Sequence, residues 1–113
     1  MITFIEQNYQ DHITLEEIAS SADIGRSEAA RCFQKYLDIS PVGYLISYRI
    51  RQAQTYLRET VLTIEEISEK CGFSSPGYFT RVFKNAVSAT PSQYRHSVHA
   101  GQNSWVNSVD SGE

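Results

Sequence analysis

The chain has 113 residues, 41% of them hydrophobic and 20% charged, which is the composition of one small globular domain or two very small ones. Ten basic and 13 acidic residues give a formal net charge of −3, so the chain lacks the overall basic charge typical of a domain that meets phosphate. No apolar run approaches the ~20 residues of a membrane-spanning helix, and no secretory signal is recognisable. The sequence therefore argues against a membrane protein.

Three short helices are predicted in the first 40 residues. Residues 1 to about 9 carry apolar side chains on one face. A second helix begins at Thr14, whose hydroxyl can accept from the Glu17 amide while the Glu17 carboxylate reaches back, which is a capping box. A third helix, at about residues 27–37, has four residues at i, i+3, i+4 and i+7 that should point inward, namely Ala29, Cys32, Phe33 and Tyr36.

The longest predicted helix follows Ser40-Pro41, a cap residue before a proline. It runs from about Val42 to Leu57 and contains no glycine or proline after Gly43, so it should be a stiff spacer. Its apolar stripe consists of Val42, Leu45, Ile46, Ile50, Ala53 and Leu57.

The pattern that precedes this spacer returns after it. Residues 13–18 read I-T-L-E-E-I and residues 62–67 read L-T-I-E-E-I, an offset of 49 positions. Ser40-Pro41 corresponds in the same way to Thr90-Pro91, at an offset of 50. A period near 50 indicates a duplicated supersecondary unit. The second copy predicts a capping box at Thr63, a C′ residue at Gly72, a helix at about residues 76–87, and inward side chains at Phe79, Val82, Phe83 and Ala86.

Two short helices joined by a tight turn, with a basic outer face on the second, describe a helix-turn-helix. The predicted fold is therefore all-α, with about seven helices in two helix-turn-helix subdomains joined by a long linker helix. A last short helix is expected from Pro91 to about Ser97, before a disordered tail that contains Trp105. The expected segments are 1–40 (first subdomain), 41–58 (linker helix), 59–97 (second subdomain) and 98–113 (tail).

The residues capable of chemistry show no catalytic or metal-binding pattern. Cys32 and Cys71 fall at inward helix positions with no ligand partner at the required spacing, so they are expected to be small core residues. The three histidines have no patterned acid or nucleophile beside them, and no phosphate-binding loop or hydrolase motif occurs. We therefore expect neither an enzyme nor a metal-binding or cofactor-binding protein.

The charges are distributed unevenly, with acids on the first helix of each repeat and basic side chains on the second. Such a chain can present one basic face while being acidic overall. Two interpretations are open: a helical-repeat protein-interaction module without DNA specificity, or a DNA-binding protein. The long spacer and the matching Arg31 and Arg81 favour DNA, because arginine can bond guanine O6 and N7 through two parallel donors.

A long ordered set of motifs lies between Ile13 and Arg95. It includes Leu15-x-x-Ile18-Ala19, Arg49-Ile50-x-x-Ala53, Ile67-Ser68-x-x-Cys71-Gly72-Phe73, Tyr78-Phe79-x-Arg81-x-Phe83-Lys84 and Thr90-Pro91-x-x-Tyr94-Arg95. This set resembles the DNA-binding domain of the AraC/XylS family of bacterial transcription regulators. The resemblance implies a homeodomain-like fold whose recognition helices, about 27–37 and 76–87, enter successive major grooves about one helical turn, ~34 Å, apart.

The resemblance and helix geometry together imply which residues face DNA. The base-contacting candidates are Ser27, Glu28, Ala30, Arg31, Pro76, Gly77, Thr80 and Arg81, with the two arginines as first choices. The phosphate-contacting candidates are Arg26, Lys35, Lys84, Thr14, Thr63 and Arg49, with an internal salt bridge as the alternative for Arg49. Because several base-facing positions lack hydrogen-bonding side chains, readout should rest on few bases, thymine methyls or DNA shape.

Proteins of this family usually carry a second domain that binds an effector or dimerises, and this chain has no residues left to build one. We expect an excised C-terminal domain that is monomeric by itself, whereas the full-length protein is a candidate dimer through the missing domain. The expected partner is double-stranded promoter DNA, with RNA polymerase as a further candidate and no membrane. The expected location is the cytoplasm, at the bacterial nucleoid.

Overall fold

The computed structural model of the protein describes residues 1–110, with side chains described from Met1 to Ala100. Within this range the chain forms seven α-helices and no β-strand, which confirms the predicted all-α fold. None of these helices is long and apolar enough to cross a membrane. The helices are α1 (Ile2–Asn8), α2 (Leu15–Ser20), α3 (Arg26–Leu37), α4 (Pro41–Glu59), α5 (Ile64–Lys70), α6 (Pro76–Val87) and α7 (Pro91–Asp110).

Both predicted capping boxes are present, at the starts of α2 and α5. In the second, the Thr63 N–H donates to Glu66 Oε1 at 2.9 Å, and the Glu66 N–H donates to Thr63 Oγ1 at 3.1 Å. Hydrogen bonds from the Thr63 backbone and then its hydroxyl hold the pKa of Glu66 below its ordinary value. Ser40 and Ser75 cap α4 and α6, each before a proline in the first turn. The sequence signals for helix starts are thus used as predicted.

The backbone turns are duplicated as well as the helices. The turn after α2 holds Asp23 at φ 57°, and the turn after α5 holds Gly72 at φ 84°, two positions that are 49 residues apart. The second helix of each copy ends on another left-handed residue, Asp38 at φ 54° or Ser88 at φ 68°. Such residues terminate a helix and turn the chain back on itself. Each short helix is therefore held against its neighbour by the same local geometry in both copies.

Each copy has its own hydrophobic core, and α4 contributes to both. We call α1 to α3 with the start of α4 the first unit, and the end of α4 with α5 to α7 the second unit. An edge-on aromatic pair recurs, Phe33–Tyr44 with ring centroids 5.9 Å apart and Phe83–Tyr94 at 5.6 Å. The first core is the smaller of the two, and its buried residues are Ile5, Ile18, Phe33 and Leu45. The buried residues of the second core are Ile50, Ala53, Leu57, Ile67, Cys71, Phe73, Phe79 and Phe83.

Some residues predicted to point inward are exposed. Tyr36 is 74% exposed, and Ala86, its counterpart in α6, is also exposed. The six-residue α2 is half the length of the twelve-residue α3, so it leaves the last turn of α3 uncovered. Val42 is 45% exposed because it lies in the first turn of α4, near the end of the first core. Periodicity identified the correct face in each case but not where the packing partner ends.

The last helix is longer than predicted. The sequence predicts that it ends near Ser97, whereas α7 continues to Asp110. No proline follows Pro91, and the single glycine, Gly101, is tolerated inside a helix at a modest cost. The helix thus extends into the segment, residues 98–113, for which the sequence predicts a disordered tail. The end of the predicted tail, residues 111–113, and the side chain of Trp105 lie outside the described part of the protein.

Candidate nucleic-acid interface

The second helix of each unit presents the predicted base-contacting residues on its outer face. Phe79 and Phe83 are fully buried under α6, and Ala29 and Phe33 are buried under α3, so the opposite faces point to solvent. Ser75 accepts from the Tyr78 N–H at 3.1 Å and thereby fixes the start of α6. Of the predicted candidates, Ala30 and Thr80 are half-buried, and the exposed ones are Ser27, Glu28, Arg31, Pro76, Gly77 and Arg81.

Arg81 lies beside an aromatic residue, Tyr78, for which the sequence predicted no role. Its guanidinium carbon lies 5.5 Å from the ring centroid of Tyr78, one helical turn earlier, and Tyr78 packs in turn against Phe73 at 6.1 Å. The i, i+3 spacing of Tyr78 and Arg81 was a usable signal in the sequence. The corresponding position in the first unit is Glu28, so the two arginines are supported differently.

The predicted phosphate-contacting cations on these helices are exposed. Arg26 forms an ion pair with Glu16 at 3.9 Å, which is weak because both side chains are in solvent. It is the sole carboxylate ion pair among residues 1–100, so Lys35 and Lys84 have no carboxylate partner within that range. Lys35 instead lies 5.3 Å from the centroid of the Tyr36 ring. These cations are therefore available to an anionic partner.

The capping boxes count against the predicted phosphate contacts at Thr14 and Thr63. The amide of each threonine already donates to the carboxylate three residues later, at 3.0 Å to Glu17 and 2.9 Å to Glu66. Each carboxylate thus takes one of the amides that a phosphate could use, and its negative charge would repel that phosphate. At the starts of α2 and α5 the chain itself therefore satisfies the N-cap and N3 amides.

Arg49 also has a role other than the two that were predicted for it. Its Nε donates to the Tyr9 carbonyl at 2.8 Å, and a terminal nitrogen donates to the Asp11 carbonyl at 2.9 Å. The side chain is half-buried, and this burial lowers its pKa. Among residues 1–100 no carboxylate pairs with Arg49, so the salt-bridge alternative is not realised there, and two of its three nitrogens are bonded at the end of α1.

Arg95 makes the matching contacts in the second unit. It donates to the carbonyls of Leu57 at 3.2 Å, Thr60 at 3.2 Å and Leu62 at 2.7 Å, at the end of α4. The accepting residues Asp11 and Thr60 occupy equivalent positions in the two units, 49 residues apart. The donating arginines, Arg49 and Arg95, do not occupy equivalent positions. Each unit therefore uses an arginine to satisfy the carbonyls that precede its helix-turn-helix.

The cysteines are free thiols. Cys71 is fully buried as predicted, and this burial raises its pKa to about 12. Cys32 is half-buried. Cys71 is therefore an uncharged core residue at neutral pH.

Comparison with known families gives a match over most of the chain. A family model described as a helix-turn-helix domain matches residues 18–97. The lactose operon transcription activator of Staphylococcus xylosus is 38% identical over 95 residues, which cover 84% of this chain and 34% of that protein. The chain thus spans about one third of the length of the curated relatives that it matches.

Solved structures give the same fold. An AraC-type DNA-binding domain-containing regulator from Chromobacterium violaceum superposes with a TM-score of 0.81 at 28% identity, covering 86% of this chain and 87% of that one. The DNA-binding domain of AdpA, solved in complex with a target DNA, has a TM-score of 0.86 at 24% identity, covering 90% and 92%. At that identity the second likeness concerns the fold alone.

Proposed function

The chain belongs to the AraC family of helix-turn-helix transcription regulators, and on this premise we propose that it is a sequence-specific binder of double-stranded DNA. The observation that carries the proposal is an exposed arginine, Arg31 or Arg81, at the same place on the outer face of each second helix. With α4 as a spacer, α3 and α6 enter successive major grooves of one duplex face. A DNA-binding domain of the same fold was solved in complex with a target DNA, which supports DNA as the partner.

The base readout is sparse. Arg31 and Arg81 each donate in parallel to guanine O6 and N7, and Glu28 is placed to accept from cytosine N4. Thr80 and Ser27 offer hydroxyls, whereas the other base-facing positions, Ala30, Pro76 and Gly77, bring no hydrogen-bonding group. Specificity at these positions comes from thymine methyl contacts and from DNA shape.

Affinity comes mainly from cations that carry no sequence information. Lys35, Lys84 and Arg26 contact phosphates on either side of the recognition helices. The acids lie mostly on the first helices, α2 and α5, and the cations on the second helices, so the protein can present a basic face despite its net charge of −3. We include neither Arg49 nor the two capping threonines among the phosphate contacts.

Selection from a random duplex library with the purified domain, followed by titrations at several salt concentrations, tests the proposal. An enriched motif with two short half-sites about 10 base pairs apart, and a log-log salt slope of several units, is the expected result. The competing protein-interaction module predicts no enriched motif and no steep salt dependence. Such a result would favour the protein-interaction module over a DNA-binding protein.

The substitutions Arg81→Ala and Lys84→Ala should separate base reading from positioning. Arg81→Ala is expected to cost ~1–3 kcal/mol on the selected site and to relax one base position. Lys84→Ala is expected to weaken binding to all sequences alike and to flatten the salt slope by about 1. Anisotropy titrations on the selected duplex and on its single-base variants provide the measurement. Equal losses on every sequence for both variants would contradict the assignment.

The isolated domain is expected to be a monomer that binds DNA weakly. The whole regulator would gain affinity by pairing two such domains, since a tethered second site raises the effective concentration. Sedimentation without DNA measures this directly, and a tight dimer would contradict it. In the cell, we place the protein at the nucleoid in the cytoplasm, with RNA polymerase as a further partner and no catalytic activity of its own.

A further inference from the structure

The two units meet at a second place besides α4, where the turn after α1 touches the turn after α5. A Cβ atom added to Gly72 would lie 2.4 Å from the Tyr9 carbonyl oxygen and 3.0 Å from Arg49 Nε. The backbone of the α5–α6 turn is therefore in direct contact with the guanidinium that binds Tyr9 and Asp11. Three segments of the chain converge on Arg49 with no room for another side chain.

The side chain of Tyr9 reinforces this contact. Tyr9 follows α1 in the first unit, yet it packs against the core of the second unit as well as that of the first. Its ring lies 5.1 Å from the ring of Tyr48, in an edge-on arrangement. Burial, with Tyr56 and Cys71 nearby, raises the pKa of Tyr9 to about 12, so the phenol is neutral where it meets the second unit.

A single shared helix would join the units at one place only, and even a gentle curve in that helix would change their relative orientation. A contact away from the helix axis removes that freedom, since it joins the units at a second point. We propose that Arg49, together with Tyr9 and Gly72, forms an orientation lock that holds α3 and α6 at one relative placement. This inference rests on the proposed function, because it makes Arg49 a positioning residue for reading two half-sites at one spacing.

The lock matters because the two recognition helices bind one duplex as a bivalent ligand. Their combined affinity depends on how closely their relative placement matches the spacing of the grooves. Without the lock, the two recognition helices would adopt a wider range of relative placements. Binding to the best-spaced site should then weaken, binding to sites with altered spacing should change less, and each half-site alone should be bound as before.

The first test is Arg49→Ala, with Arg58→Ala as the matched control. Arg58 is an exposed arginine of the same helix that bonds Tyr94 within the second unit, so its loss leaves the lock intact. Titrations would use the selected duplex, duplexes with one base pair added or removed between the half-sites, and each half-site alone. We expect Arg49→Ala to lose about tenfold on the selected spacing and to discriminate less between spacings, whereas Arg58→Ala retains the wild-type profile. Retention of the full spacing preference by Arg49→Ala would overturn the inference.

A second measurement needs no DNA and separates the lock from the proposed function. Residual dipolar couplings report whether the two units tumble with one alignment tensor or with two. One common tensor in the wild type and two in Arg49→Ala support the lock even if no duplex is bound, whereas a common tensor in both overturns it. If Arg49→Ala does not fold, Arg49→Lys takes its place, because it keeps the charge but loses the fork that spans two carbonyls.

Discussion

Phe79→Ala is expected to lower the free energy of unfolding by about 3–5 kcal/mol. The side chain is fully buried, with its ring 4.9 Å from that of Phe73 and 5.7 Å from that of Phe83. Truncation removes the apolar contact area and leaves a cavity between two rings that are themselves buried. Urea unfolding of the domain provides the measurement, with the slope of the transition checked for two-state behaviour.

The first unit shows that the expected loss of stability comes from the packing of the second core and not from the helix-turn-helix fold itself. The residue equivalent to Phe79 is Ala29, which is also fully buried, so the helix-turn-helix can be built around an alanine there. The second core has no substitute for the missing ring, because its neighbours are arranged around Phe79. Val61, which is 98% exposed in the same unit, provides a matched apolar control. Val61→Ala should change stability by less than about 0.5 kcal/mol, and a similar value for Phe79→Ala would refute the argument.

The duplicated elements could be predicted because their signals are local. The caps at Thr14 and Thr63 need only a threonine and a glutamate three residues apart, and both are formed. The helix-ending glycine at Gly72 follows equally from its place after an apolar periodic segment. Helix types, order and starts are therefore encoded in stretches of a few residues, and the internal repeat provided an independent check.

What could not be predicted depends on contacts distant in the sequence. Arg49 donates to carbonyls about 40 residues away, so the residues beside it in the sequence do not indicate that role. The exposure of Tyr36 depends on where α2 ends, and periodicity within α3 contains no information on this point. The continuation of α7 beyond Ser97 was missed because a polar composition was taken as a sign of disorder.

The sequence predicted which residues lie on the exposed face of the candidate interface better than it predicted what each of them contacts. The outward placement of Arg31 and Arg81 follows from the buried residues two positions before and after each of them on the same helices. The support of Arg81 by Tyr78 was overlooked because aromatic residues at helical spacing usually belong to a core. Which bases each arginine reads depends on the docked DNA, and this stays a proposal for both positions.

Gly72→Ala is expected to cost about 2–5 kcal/mol, from two separate causes. At φ 84°, a residue with a Cβ atom is strained by roughly 1–2 kcal/mol. The new atom would also lie 2.4 Å from the Tyr9 carbonyl oxygen, which belongs to the backbone and cannot move without disturbing α1 and Arg49. Gly77→Ala is the matched control, because no atom lies within 4 Å of its added Cβ and it occupies an ordinary helical position. That control should leave the stability unchanged or raise it slightly.

The crowding should outweigh the backbone strain, and Asp23 indicates why. At the equivalent place in the first unit, Asp23 adopts φ 57° with a full side chain, so positive φ alone does not require glycine in this turn. Asparagine adopts left-handed φ at little cost, and Gly72→Asn would therefore relieve the strain while keeping the clash. If Gly72→Asn is as damaging as Gly72→Ala in urea unfolding, the contact with Tyr9 is what demands glycine. Recovery of wild-type stability by Gly72→Asn would assign the requirement to φ and remove Gly72 from the orientation lock.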